Sequence, residues 1–305
     1  MSELTAGETN RLLARIGNTP LVELRTLFRS DKIRIFAKLE WFNPGGSVKD
    51  RPAYNMIRKG EETGELHPGK TIVDSTSGNT GIAYAFIAAA KGYKTLLAMP
   101  ENASVERKKI LTAYGAELLL TDPLEGSDGS IRVIRELYEK SPDQYYYPDQ
   151  YGNDANWQAH YESTAPEIYS DSRQEVTHFV AGLGTSGTFV GTSRRLKELN
   201  PEIQAISFMP DSPFHGLEGL KHMPTSIVPR IYDESVANEN LDISTEASQR
   251  MVVRLAQEEG LFAGLSSGSA LVAALQVAKN IDRGTIVTVF PDSGDKYLSE
   301  EFWKE

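Results

Sequence analysis

The stretch Asn43-Pro44-Gly45-Gly46-Ser47-Val48-Lys49-Asp50-Arg51-Pro52 joins a strand-like run, Arg34 to Glu40 (RIFAKLE), to a helix-like run from Lys49 to Gly64. Its lysine is out of place. Cations are favoured at helix C-termini and disfavoured in a first turn, where the dipole repels them. A first-turn lysine that is also partly buried has a lowered pKa, and such a lysine is a nucleophile and a base. The plain rival is a solvated lysine at a helix start. Lys49 is therefore a candidate Schiff-base lysine, to be weighed with the rest of the chain.

Outward from this seam, strand-like runs alternate with helix-like ones, the signature of an α/β fold with a parallel sheet. The expected strands include Arg34–Glu40, Thr71–Thr76, Lys94–Pro100, Glu117–Thr121, Thr177–Gly182, Gln204–Met209 and Thr285–Phe290. Ser104 is expected to cap a helix ending near Gly115, and Ser127 to open one running to Lys140. Ser244 opens Thr245–Glu259, closed by Gly260, and the almost wholly apolar run Thr80–Lys91 predicts a helix buried between layers. Tyr145-Tyr146-Tyr147 reads as a strand at a domain seam. Three polar or proline-bearing seams stand out, Pro142–Asp154, Asp171–Glu175 and Asp211–Glu239. The last is long for a loop in a compact domain, so it is functional or carries structure of its own.

The 305 residues suffice for one large or two modest domains, and 40% hydrophobic with 24% charged residues is an ordinary globular balance. No apolar run approaches the roughly 18 residues of a membrane span. Met1 to Asn10 lacks the basic and apolar regions of a signal peptide, so a cytoplasmic protein is expected. A net charge of −10 without a basic cluster argues against nucleic acid as partner. Cysteine is absent, which excludes disulfides and thiolate chemistry. The five histidines (His67, His160, His178, His215, His222) show no metal-ligand spacing and are expected at the surface or in loops; no metal is expected.

Three further segments carry chemistry. Ser75-Thr76-Ser77-Gly78-Asn79-Thr80-Gly81 puts small hydroxyls and helix N–H groups at the carboxyl end of a strand, where open α/β sheets bind ligands; a simple capped turn would look the same. Gly182-Leu183-Gly184-Thr185-Ser186-Gly187-Thr188 matches the dinucleotide fingerprint, with Asp211 after the next strand as the ribose acid, so a nicotinamide oxidoreductase is a competitor. That reading leaves Lys49 and the Asn79 loop without work. Gly184 to Thr188 equally cups a single phosphate with backbone N–H groups, three hydroxyls and a helix dipole. Gly264-Leu265-Ser266-Ser267-Gly268 spells the hydrolase nucleophile elbow, but all five histidines precede it, against the order a triad of that class requires.

Lys49 and these three segments, in this order, resemble the cysteine synthase and cystathionine β-synthase family of pyridoxal-phosphate (PLP) enzymes. The resemblance runs from Ile16-Gly17-Asn18-Thr19-Pro20-Leu21 to Lys296-Tyr297-Leu298-Ser299 and is nearest to isoform-B-like cysteine synthases. It implies a fold-type II PLP enzyme, tryptophan synthase β-like: α/β, with two open twisted sheets flanked by helices. A smaller domain, 45–149, would be inserted into a larger one made of 1–44 and 150–305. It implies PLP bound as a Schiff base on Lys49, with the phosphate on Gly184, Thr185, Ser186, Gly187 and Thr188. Asn79 would bond the ring oxygen and Ser266 the pyridine nitrogen. Thr76, Ser77, Thr80 and Gln150 would take the substrate α-carboxylate, and Lys221 the phosphate of O-phosphoserine. The implied activity is β-replacement on O-phosphoserine or O-acetylserine with a sulfur nucleophile, giving L-cysteine. Its rivals are cystathionine or diaminopropionate synthesis. A homodimer is implied, and for some members a sulfur-carrier protein as partner.

Overall fold

The computed structural model describes residues 11–76 and 78–304, so Ser77 lies outside the described residues. The first half of the chain runs β1 (Leu21–Glu23), β2 (Ile33–Leu39), α1 (Asp50–Thr63), β3 (Thr71–Ser75), α2 (Asn79–Lys91), β4 (Lys94–Pro100), α3 (Val105–Ala113), β5 (Glu117–Thr121), α4 (Gly126–Lys140) and β6 (Tyr145–Tyr146). After it come α5 (Asp154–Ala159), α6 (Ala165–Asp171), β7 (His178–Gly182), α7 (Gly187–Leu199), β8 (Gln204–Pro210) and β9 (Glu239–Ile243). The chain closes with α8 (Thr245–Arg254), α9 (Leu265–Lys279) and β10 (Gly284–Phe290).

These strands form two sheets. The larger has the order β1-β2-β10-β7-β8-β9, and the smaller β5-β4-β3-β6. Among the described strands only β1 is antiparallel, on the edge against β2. The remaining pairings are parallel, since long crossovers return the chain between strands, most of them helical and the one from β8 to β9 made by the 211–239 seam. β10 is inserted between β2 and β7, with Gly284 opposite Ile33 and Ile286 opposite His178. Its alternate side chains feed two cores: Ile286 packs with Ile35, Phe208 and Leu271, and Val287 with Phe179 and Val190 on the other face. In the small unit Ile72 and Leu97 meet Ile57, Ile82 and Ile87. Each such side chain contributes about 1.5–3 kcal/mol by leaving water. As its composition predicts, α2 is buried along most of its length. Among the described residues no helix is long and apolar enough to cross a membrane.

The expected strands are found, with ends moved by a residue or so. Tyr145–Tyr146 is the edge strand of the small sheet, where the Tyr146 hydroxyl donates to the Met56 carbonyl at 2.7 Å. Ser104 and Ser244 cap α3 and α8 as expected. Ser127 does not open α4: the helix begins at Gly126, after a short turn whose Asp122 carboxylate accepts the Leu124 N–H at 2.9 Å. The seam from 211 to 239 contains only short 3-10 turns, Met223–Thr225 and Glu234–Val236, and leads straight into β9.

Candidate active site

Lys49 sits at the cap of α1, and its neighbours pin it there. The Val48 N–H donates to the Pro291 carbonyl at 2.8 Å, tying the seam to the exit of β10. Arg51 is buried and bonds Glu40 (2.8 Å) and Glu167 (2.7 Å), so the first turn of α1 is bolted to the end of β2 and to α6. Burial would raise the Glu40 carboxyl, but the Arg51 guanidinium overrides it and holds Glu40 charged. Burial likewise holds the Lys49 ammonium below the usual lysine range, with Asp292 and Glu40 pulling it back up. Lys49 lines two adjoining cavities, which share the cleft between the carboxyl ends of β3 and β7.

The loop after β7 forms one end. Ser186 takes a left-handed conformation (φ 70°) immediately before α7. Gly184 has no room for a side chain, since a Cβ there would lie 2.2 Å from the Gly219 carbonyl oxygen; at Gly187 it would lie 2.0 Å from Asn156 Oδ1. Asn156 Nδ2 donates to the Gln150 carbonyl (2.7 Å) and to Thr185 Oγ1 (3.1 Å). Thr188 Oγ1 lies 3.3 Å from His160 Nε2, and His160 Nδ1 lies 2.9 Å from the Thr164 hydroxyl. His160 is thus not the surface residue expected from sequence. It is buried in a π-helical turn after α5, and burial, then the Arg51 charge, push its pKa down to about 3, which keeps the ring neutral. The Ser186 hydroxyl is buried without a hydrogen-bond partner among the described residues.

Asn79 and Ser266 open helices α2 and α9 toward the same space, and both line the cavity next to the Gly184 loop. Asn79 is gripped from both sides: its Nδ2 donates to Asp292 Oδ2 at 2.7 Å, and its Oδ1 accepts from Lys296 at 2.9 Å. Asp292 also accepts from the Tyr297 hydroxyl at 3.0 Å. Sequence reasoning passed over Asp292 and Lys296. The available signal was Asp292's place just past the carboxyl end of β10.

The remaining wall carries Thr80, Gln150 and Lys221. Thr80 donates to Gln150 Oε1 at 2.8 Å, and Gln150 Nε2 donates to the Ser75 carbonyl at 2.5 Å. Thr76 does not line either cavity; its hydroxyl accepts the N–H groups of Gly78 (3.0 Å) and Gly81 (2.9 Å) and so shapes the loop. Lys221 is buried, with Nζ 3.2 Å from Asp128 Oδ1 and 5.1 Å from the centre of the Tyr151 ring. Two further charges here were missed as a unit: Arg107, from α3, pairs with Glu218, from the long seam, and stacks its guanidinium 5.0 Å from the Tyr297 ring. Arg107 lies in the first turn of α3, three residues after the Ser104 cap, where no sequence motif marks it.

Residues 12–292 match the family described as pyridoxal-phosphate dependent enzyme. The chain belongs to that family. It is 50% identical over 301 residues to a cysteine synthase of Aquifex aeolicus, covering 96% of this chain and 92% of the relative. It is 43% identical over 284 residues to cysteine synthase B of Pseudomonas aeruginosa, covering 93% and 94%. The crystal structure of cysteine synthase from Entamoeba histolytica superposes with a TM-score of 0.92 at 36% identity, over 100% of this chain and 94% of that one. The glycine loop is therefore not a dinucleotide fingerprint, and the cofactor is PLP. The residues present fit it: a Ser186 hydroxyl buried without a partner among the described residues, a cradle at Gly184 and Gly187 that any Cβ would fill, and the half-buried Lys49 lining the same cavity.

Proposed function

We propose that the chain catalyses β-replacement on an activated L-serine with a sulfur nucleophile, yielding L-cysteine. One observation carries this reading. Lys49, the Gly184 to Thr188 loop, Asn79 and Ser266 share one cavity, and its continuation holds Thr80, Gln150 and Lys221, so cofactor and amino-acid ends meet at a lysine of lowered pKa.

Lys49 would hold the cofactor through its Nζ, and the same nitrogen, when free, takes the substrate's α-proton and later returns it. Its lowered pKa leaves more of it neutral at physiological pH than an exposed lysine would be. Thr185, Ser186 and Thr188 hold the phosphate with the N–H groups that open α7. Asn79, its amide fixed between Asp292 and Lys296, meets the ring oxygen. Ser266 meets the ring nitrogen and, being a neutral hydroxyl, does not hold a proton on it as an aspartate would. When bound, PLP supplies the electron sink for loss of the α-proton and the β-substituent. Thr80 and Gln150 receive the substrate carboxylate, with Ser77 as a third donor. Thr76 joins them through its hydroxyl proton, since its oxygen is engaged as an acceptor.

Lys221, at the far end of the same wall, takes the phosphoryl leaving group of O-phosphoserine. The smaller domain, 45–149, would move against 1–44 and 150–305; this is supported by the small sheet lying within Thr71 to Tyr146 while the strands of the large sheet flank it in sequence. A cytoplasmic homodimer completes the reading, with sulfide, thiosulfate or the thiocarboxylate of a carrier protein as the sulfur donor.

The test is direct. Purified protein is expected to be yellow, to lose its colour to borohydride, and to form cysteine from sulfide with O-acetylserine or O-phosphoserine. A colourless protein, or a coloured one that makes no cysteine from either donor, overturns the proposal.

A further inference from the structure

Lys221 is not waiting for its anion. Its backbone N–H donates to the Leu183 carbonyl at 2.8 Å, which fixes the residue at the exit of β7, and its buried side chain lies along Tyr151. The ammonium then meets Asp128, in the first turn of α4 on the opposite wall, at 3.2 Å. The other Asp128 oxygen accepts the Ile227 N–H, also at 3.2 Å. One carboxylate therefore fastens the long seam to the small-sheet side and occupies the cation of that seam. Glu218, nearer in sequence, is not the carboxylate that opposes an anion here, because Arg107 holds it.

We infer that Asp128 is a built-in competitor for the anion that Lys221 recognises, and that it sets the preference between phosphoryl and neutral acyl leaving groups. The inference rests on the reading of Lys221 as the phosphate group's partner. A phosphoryl group arriving at Lys221 must displace the Asp128 oxygen or lie beside it, and either arrangement sets a dianion against a carboxylate in a largely desolvated corner. A neutral acetyl ester leaves the pair intact. At the start of α4, Asp128 keeps the favour of the helix dipole after it is displaced, so the exchange is reversible rather than prohibitive.

The experiment uses holoenzyme, with inorganic phosphate as probe and its competitive inhibition of cysteine formation from O-acetylserine as readout. It is run on wild type, Asp128→Asn, Lys221→Ala and the double variant. The asparagine oxygen still accepts the Ile227 N–H but carries no charge. Asp128→Asn is expected to tighten phosphate about tenfold, the worth of one charge-assisted contact, and to raise kcat/KM for O-phosphoserine in parallel, with O-acetylserine kinetics unchanged. Lys221→Ala should weaken phosphate, and the double variant should behave like Lys221→Ala. The tightening should shrink as salt is added. If Asp128→Asn leaves phosphate binding unchanged or weaker while Lys221→Ala weakens it, Asp128 is not a competitor and the Lys221 assignment stands. If Lys221→Ala changes neither phosphate nor O-phosphoserine, the Lys221 assignment fails and this inference with it. Asp128→Ser, which keeps an oxygen at the helix start, serves the same comparison if the asparagine variant melts early.

Discussion

At the Gly184 end of the cavity a serine hydroxyl is buried without a partner, whereas at the Lys221 end the charged side chains are matched in pairs, Lys221 with Asp128 and Arg107 with Glu218. A buried polar group left unmade costs about 1–3 kcal/mol, so the first end is incomplete as a protein and is completed by a group that stays. The second end is electrically complete by itself, and whatever binds there must exchange with a partner already in place. On the proposed reading, that is how the sites of a resident cofactor and a passing substrate differ in structural terms. The permanent ligand is awaited by unmet hydrogen-bonding capacity, and the transient one by ion pairs that open and re-form.

Lys49 stands between the two ends, and its loss should have the largest effect. Lys49→Ala is expected to lower turnover by at least about 10²–10⁴, the contribution of a positioned acid–base group, with unchanged circular dichroism. Mass spectrometry after borohydride reduction of the wild type should find the pyridoxyl group on Lys49, and an adduct on another lysine would break the assignment. Next comes the cofactor end. In Gly184→Ala the new methyl meets the Gly219 carbonyl, a backbone atom that cannot swing aside. Overpacking costs about 1–3 kcal/mol, so PLP affinity, read by absorbance titration of the apoenzyme, should fall about fivefold to a hundredfold. Undiminished affinity would mean that the cradle is looser than its glycines indicate.

At the paired end the effect should be selective rather than large. Lys221→Ala should lower kcat/KM for O-phosphoserine about tenfold to a hundredfold relative to O-acetylserine, as steady-state kinetics would measure. Equal losses on both donors would erase the distinction between the two ends. The smallest change belongs to Ser266→Ala. A single neutral hydrogen bond is worth about 0.5–1.5 kcal/mol, so activity should drop only a few-fold, with the reaction type and the visible absorbance retained. Complete loss of activity would give Ser266 a role that a hydrogen bond to the ring does not explain.

Much of the frame was legible because it follows from local pattern. Lys94–Pro100 and Glu117–Thr121 are read to the residue, since an apolar run between turn signals is a strand in any α/β setting. The edge strand β9, Glu239–Ile243, was not, because its residues are largely solvent-facing and polar and show no buried alternation. At the site, residues whose work is done by backbone shape or helix position, such as Gly184 and Asn79, announce themselves through motif. Residues whose work is done across the cleft do not. Arg107 and Glu218, or Asp128 and Lys221, lie far apart in the chain, and no local spacing encodes their meeting. His160 shows the same limit for burial: nothing nearby marks the turn that points its ring inward between Thr164 and Thr188.

The place of β10 has a consequence for how the molecule is made. Gly284 pairs with Ile33, and Thr288 of the same strand with Val180, so a strand synthesised well after both of its neighbours is wedged between them. Until it arrives, β2 and β7 have no neighbour on those edges, and such a gap invites wrong partners. The same late strand delivers Pro291 and Asp292, which hold the Lys49 seam and Asn79 in position. A nascent chain still lacking β10 therefore has Lys49 and its glycine loop but not the distance between them. Cofactor capture is then expected to follow the arrival of β10, as the step that locks a slow, long-range closure.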